Sequence, residues 1–220
     1  EGIFRTRKIQ IIAGENRTET IHREHGCRYK IDLEKVYFNP RLAGERNRVA
    51  AQLDRTTEEE IIDMFAGVGS FSIQLAKRAP QSHVIAIDIN HDAIRYLEEN
   101  IRLNRVSNIE AVEGDVKEIC VRFTNKADRI IMNLPKSASV FLREALSMLK
   151  SRGGIIYFYD LESSRSVEES LIKAKEKFMA HVQELSEELH VDSVEVRDAR
   201  KVKAYAPYTY IIGIDAVIKK

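Results

Sequence analysis

From residue 60 onward, short apolar runs alternate with longer amphipathic ones, and this alternation constrains the fold more than any other feature of the chain. EEIIDMF reads as a short buried strand, and HVIAIDI, NIEAVEGD, ADRIIMNL and GGIIYFYDL read as further strands. Between them, SFSIQLAKRA, HDAIRYLEENIRLNRV and residues 137–150 read as helices, the second with Ile94, Leu97 and Ile101 at helical spacing. SVEESLIKAKEKFMAHVQELSEELH adds a long helix after the fifth strand. Strands separated by helices predict a mostly parallel, doubly wound α/β sheet. The closing runs SVEVRDARKVKAY and YTYIIGIDAVIK have only Ala206-Pro207 between them, so one of the two must run antiparallel.

The N-terminal part has a different period. FRTRKIQIIAG and TETIHREHGCRYKIDL alternate polar and apolar residues, with Gly14 and His25-Gly26 as turn signals, so residues 3–36 read as β structure. PRLAGERNRVAAQLD (40–54) reads as a helix with Pro40 in its first turn. The expected organisation is a β-rich module over 1–38, serving RNA or base recognition, and a catalytic α/β domain over 39–220. A parallel sheet closed by a β-hairpin resembles the Rossmann-like class I methyltransferases, which use S-adenosylmethionine.

Composition narrows the options. Apolar residues make up 44% of 220 residues, enough for a proper core and too many for disorder. Lys and Arg total 35 against 34 Asp and Glu, so no global charge draws a polyanion. Residues 1–55, however, carry 12 Lys/Arg against 8 Asp/Glu, which fits either an anionic partner or a solvated basic face. Cys27 and Cys120 stand apart with no Cys/His cluster, so no metal site is expected. Free thiols and the lack of a long apolar run point to a cytoplasmic protein with no membrane segment. The first residue is Glu1, so the chain is expected to be a piece of a longer protein.

DMFAGVGSF (63–71) lies between the first strand of the alternating region and its helix. Gly67 and Gly69 allow a tight turn and close approach of a ligand, while Ser72 stands where a dinucleotide fingerprint has its third glycine. Asp88 ends the next strand 19 residues after Gly69, where a carboxylate reaches ribose hydroxyls of NAD or S-adenosylmethionine alike. Asp115 ends the third strand, placed to accept from an adenine amino group, and Asp63 precedes the turn, placed to meet a cationic or amino group. Three acids suit a ligand with a sulfonium and an ammonium and suit a pyrophosphate badly.

Asn133 ends the fourth strand in RIIMNLPKSAS, at the same edge of the sheet. Asn-x-Pro resembles the (Asp/Asn)-Pro-Pro-aromatic signature of methyltransferases that act on planar nitrogen, with Lys136 replacing the aromatic. YFNPRLAGERNRVA, DMFAGVGSFSI, NLPKSA and FRTRKIQIIAGEN together resemble the archaeal and eukaryotic tRNA (guanine-37, N1) methyltransferases, over nearly the whole chain. The resemblance implies methyl transfer from S-adenosylmethionine to N1 of guanosine 37, in the anticodon loop of tRNA, by an archaeal-type monomer without an obligate protein partner. A related aminocarboxypropyl transferase of the wyosine pathway, a non-catalytic tRNA-binding protein and an NAD enzyme are the alternatives. The family also commonly carries a small N-terminal domain that grips the outer corner of tRNA. Nothing before Glu1 supplies it, so this chain is expected to hold the active site and bind tRNA more weakly than a longer form.

Methylation at N1 requires loss of the N1 proton, hence a general base, and a cation near O6. The resemblance assigns these to Glu45 and Arg5; by spacing alone Glu45 could instead pair with Arg41 or Arg48, and Arg7 could stand in for Arg5. It further implies that Tyr37 stacks on the base, Asn133 holds its edge beside the cofactor, and Pro135 shapes the loop. Arg41 would contact cofactor or phosphate, and Phe65 and Ile89 would line the cofactor with Asp63, Gly67, Gly69, Asp88 and Asp115. Arg197, Arg200, Lys201 and Lys203 are candidates for phosphate contact or simply a charged outer strand face.

Overall fold

A computed structural model of the chain describes residues 8–220. In chain order its elements are β1 (Glu19–Glu24), β2 (Cys27–Asp32), a 3-10 turn (Pro40–Leu42), α1 (Ala43–Ala50), β3 (Glu60–Asp63), α2 (Ser72–Arg78), β4 (His83–Asp88), α3 (His91–Asn104), β5 (Ile109–Glu113), α4 (Val116–Ile119), a 3-10 turn (Cys120–Phe123), β6 (Arg129–Met132), a 3-10 turn (Ala138–Phe141), α5 (Leu142–Met148), β7 (Gly154–Ser163), α6 (Val167–Leu189), β8 (Ser193–Ala206) and β9 (Thr209–Lys219). β1 and β2 make a two-stranded antiparallel sheet, and the other seven strands are ordered β5-β4-β3-β6-β7-β9-β8. The pairs β4–β5, β3–β6 and β6–β7 are parallel. β9 is antiparallel to both β7 and β8, which supplies the closure expected from the missing helix. Among the described residues, no helix is long and apolar enough to cross a membrane.

Three local readings need correction. Residues 8–14 alternate like a strand but form none, and among the described residues the β1–β2 sheet has two members; the start of that expected strand lies outside the described residues. The helix expected over 40–54 opens as a 3-10 turn and ends at Ala50, after which the Gln52 and Leu53 amides close tight turns onto Val49 and Ala50. The helix expected over 137–150 likewise begins as a 3-10 turn and becomes α only at Leu142. Short α4 was not anticipated.

The chain divides into two compact units, one running to Glu58 and including Ala66–Asp115, the other comprising Glu59–Phe65 and Val116–Lys220. In the first, Cys27, Tyr29 and Ile31 of β2 pack with Val36, Val68, Ile73, Ala93 and Tyr96, so the hairpin shares a core with the glycine turn, α2 and α3. Ile94 and Leu97 are buried with Ala66 and Ala86, as their helical spacing predicts, and Ile101 packs against them. In the second, Phe158 of β7 meets Phe178 of α6 at 5.1 Å between ring centres.

Polar groups finish the first unit. The outer edge of β2 is closed by two asparagines of α3 in place of another strand. Asn104 Oδ1 accepts from the Arg28 amide (2.8 Å) while its Nδ2 donates to the Arg28 carbonyl (2.6 Å). Asn100 does the same for Lys30 (2.6 and 3.1 Å) and also donates to the Val68 carbonyl in the glycine turn (3.1 Å). Arg46 of α1, 1% exposed, forks onto Glu24 of β1 with two bonds of 2.6 Å. Gln74 of α2 and His22 complete the Glu24 carboxylate at 2.7 and 2.9 Å.

Candidate functional site

In the first unit the glycine turn is pinned by an acid. The Gly67 amide donates to Asp88 Oδ2 at 2.7 Å and the Asn90 amide to Oδ1 at 2.9 Å, so one carboxylate ties the turn to the start of α3. The two oxygens together offer about four acceptor sites, so the carboxylate retains capacity to accept from a ligand hydroxyl. Burial raises the Asp88 pKa above the ordinary carboxylate value, against the amides of Asn90, Gly67 and Ile89, which favour the ionised form. Gly67 and Gly69 have φ of +55° and +85°, the left-handed region. Conformation favours glycine at Gly69, and a Cβ there, 2.4 Å from Leu97 Cδ1, would also have to push the end of that side chain aside. Ile89 is an exposed apolar side chain next to Asp88, and Asp115 is half-buried after β5.

The segment ahead of α1 is also fixed in this unit. Asn39 caps the 3-10 turn by accepting from the Arg41 amide (3.1 Å), its Nδ2 donates to the Tyr37 hydroxyl (3.3 Å), and Arg46 donates to its carbonyl (3.2 Å). Asn90, the cap of α3, holds the Lys35 carbonyl at 3.0 Å. A Cβ on Gly67 would be 3.8 Å from the Tyr37 carbonyl, so the Tyr37 backbone runs beside the glycine turn. Tyr37 and Arg41 are exposed. Glu45 is buried and accepts from Arg48 at 2.9 and 3.1 Å, the helical pairing that spacing had left open. Arg5 lies outside the described residues.

In the second unit Asp63 ends β3, 1% exposed, in register with Ile131 of the parallel neighbour β6. Asn133, half-buried, follows β6, so the two side chains stand at adjacent carboxyl strand ends. The Ser137 amide closes a turn onto the Leu134 carbonyl (2.8 Å) around buried Pro135 and exposed Lys136. Phe65 meets Phe141 edge-on at 5.0 Å. Sequence reasoning missed Asn90, Asn100 and the Glu24–Arg46 pair. Asn100 and Asn104, four apart inside a helix that disfavours asparagine, were the readable signal. No group of three or more His, Cys, Asp or Glu among the described residues could hold a metal ion.

Within the first unit these features suit a nucleoside ligand without phosphate: a left-handed glycine turn that a Cβ would disturb, pinned by Asp88, with Asp115 after the neighbouring strand β5. The strand order with its antiparallel closure and this turn define the fold of the S-adenosylmethionine-dependent methyltransferases. The chain belongs to the TRM5/TYW2 methyltransferase family, whose domain model matches residues 20–193. It is 48% identical over 98% of its length to the tRNA (guanine(37)-N(1))-methyltransferase Trm5b of Pyrococcus abyssi, covering 60% of that protein. A solved complex of aTrm5 with tRNALeu is 40% identical, with TM-score 0.80, over all of this chain and 58% of that one. Methanocaldococcus jannaschii TYW2 in complex with AdoMet is 31% identical, also at 0.80, over 96% of this chain and 90% of that one. The chain thus spans about 60% of the length of the Trm5 relatives it matches.

Proposed function

We propose that this chain carries the catalytic part of a cytoplasmic enzyme that methylates N1 of guanosine 37 in tRNA, with S-adenosylmethionine as donor and no obligate protein partner. The observation that carries the reading is the Asn133-Leu134-Pro135-Lys136 turn at the carboxyl end of β6, beside buried Asp63 at the end of β3. An amide there can hold the edge of a planar base, and the proline stiffens the turn. Greater identity to the Trm5b relative than to TYW2 favours methyl over aminocarboxypropyl transfer.

S-adenosylmethionine, when bound, supplies an electrophilic methyl group on sulfur. Asp88 accepts ribose hydroxyls through its remaining lone pairs, Asp115 accepts from the adenine amino group, and Asp63 meets the ammonium. Gly67 and Gly69 let the backbone approach, while Phe65, Ile89, Arg41 and Asn133 complete the cofactor contacts. On the base, Tyr37 offers a stacking face, Asn133 the guanine edge contact, and Pro135 the loop shape. Glu45 removes the N1 proton, oriented for that by Arg48, and Arg5 stabilises charge on O6. Residues 1–38 serve base recognition and 39–220 the transfer itself.

The test is label transfer from S-adenosylmethionine to tRNA transcripts bearing guanosine or adenosine at position 37, with mass analysis of the product nucleoside. A methyl on guanosine alone is expected. No label in the guanosine transcript, or a mass increment larger than methyl, would overturn the reading.

A further inference from the structure

β7 overshoots its neighbour. Met132, the last residue of β6, pairs with Phe158, yet β7 continues through Ser163, which pairs with Thr209 at the start of β9. Five further residues extend the β8–β9 hairpin about 17 Å past the end of β6, at about 3.4 Å per residue. The overhang leaves from the carboxyl ends of the strands, the same end as Asn133. Its tip, residues 201–210, reads KVKAYAPYTY, with two lysines, three tyrosines and no acid.

The tip's chemistry is unusual for a solvated turn. Tyr205 and Tyr208 are 51% and 69% exposed. Lys136, three residues after Asn133, lies 5.3 Å from the Tyr205 ring centre, and Lys201 lies 5.8 Å from that of Tyr210. Pro207 and Tyr208 form the two-residue turn between Ala206 and Thr209, and Tyr208 has φ of +55°. A positive φ there is ordinarily left to glycine or asparagine, and a bulky aromatic is strained by about 1–2 kcal/mol. Backbone strain kept under an exposed ring points to a use for the ring.

We propose that the β8–β9 tip is a stacking platform for single-stranded RNA, taking unpaired nucleotides that flank the target base in the anticodon loop. The proposal rests on the tRNA reading above and adds the surface that would grip the loop. Exposed aromatic faces accept bases of any sequence, and neighbouring lysines meet their phosphates. Tyr205 and Tyr208 supply the faces; Lys136, Lys201 and Lys203 supply the charge. Lys136 joins this surface to the Asn133 turn, so a loop stacked on the tip continues toward the amide that would hold the base edge.

The test compares the wild-type protein with Tyr205→Ala/Tyr208→Gly and with Tyr205→Phe/Tyr208→Phe. Glycine takes the positive φ without strain, so the first variant should melt no lower than wild type on account of the turn. Binding is measured to an anticodon stem-loop RNA, to a blunt duplex of the same stem, and to S-adenosylmethionine. The Ala/Gly variant is expected to lose about tenfold or more in stem-loop affinity, with duplex and cofactor affinity unchanged and the Phe variant close to wild type. Unchanged stem-loop affinity, or equal loss on the duplex, overturns the platform. Methylation of guanosine 37 by the wild type in the same preparations separates the two readings. An active wild type with an unaffected Ala/Gly variant removes the platform alone, whereas a wild type that neither binds nor methylates the RNA removes both.

Discussion

Arg46→Met tests whether the buried Glu24–Arg46 pair holds the first unit together. The side chains are 1% and 5% exposed, so removing the cation leaves a carboxylate that water barely reaches. Breaking such a pair from one side costs about 3–5 kcal/mol, because the remaining charge is uncompensated. Gln74 and His22 still donate to Glu24, at 2.7 and 2.9 Å, and offset part of this. A loss of about 3 kcal/mol is therefore expected. For a chain of this size that corresponds to a melting temperature lower by about 6–12 °C. Methionine keeps the length of the aliphatic stem, so the cost is electrostatic, apart from the guanidinium stacked 5.2 Å from the Phe38 ring centre. Adding Glu24→Gln removes the stranded charge and should recover at least about 1 kcal/mol relative to Arg46→Met alone. Thermal and urea denaturation followed by circular dichroism give both numbers. A loss under about 1 kcal/mol for Arg46→Met, or a double variant as unstable as the sum of the two singles, would show that the pair is not coupled as the geometry requires.

Two further outcomes follow from the same structure. Glu45→Gln should lower methyl transfer by about 10²- to 10⁴-fold in single-turnover kinetics while leaving S-adenosylmethionine affinity unchanged in calorimetry, and full activity would end the general-base assignment. At the start of β6, burial acts to raise the pKa of Asp128, but bonds from Lys150, the Glu60 amide and Arg152 outweigh it and hold the group below the usual carboxylate value. A depressed folded pKa gives stability that is present above the unfolded value near 4 and lost as pH falls through the folded one. Asp128→Asn should accordingly narrow the gap between stability at pH 7 and at pH 3, measured by urea midpoints; an unchanged gap would contradict the assignment.

The α/β alternation was legible because each strand is a short apolar run between helices whose apolar residues recur every three or four places. Ile94 and Leu97 are buried as that spacing requires. The glycine turn and its acid were legible from spacing, and the Gly67–Asp88 bond joins the two residues that were singled out. Residues 8–14 misled because alternation reports a surface that could pair, and pairing depends on a neighbour the local pattern does not contain. The Glu24–Arg46 pair was not legible, since the partnership spans 22 residues and Gln74 is 50 residues from Glu24. Glu45 illustrates a different limit: its bond to Arg48 is legible as helical spacing, while its proposed chemistry depends on a base that only a family resemblance brings into view.

The asparagines of α3 have a consequence for the edge of the hairpin sheet. A two-stranded hairpin with an open side is a template on which another chain can extend the sheet. Asn100 and Asn104 satisfy the amide and carbonyl of Lys30 and Arg28, so the hairpin offers a visiting strand few bonds on that side. Two side-chain amides on a helix thus act as a terminator for β-sheet growth, in a segment whose alternating sequence would otherwise invite self-association.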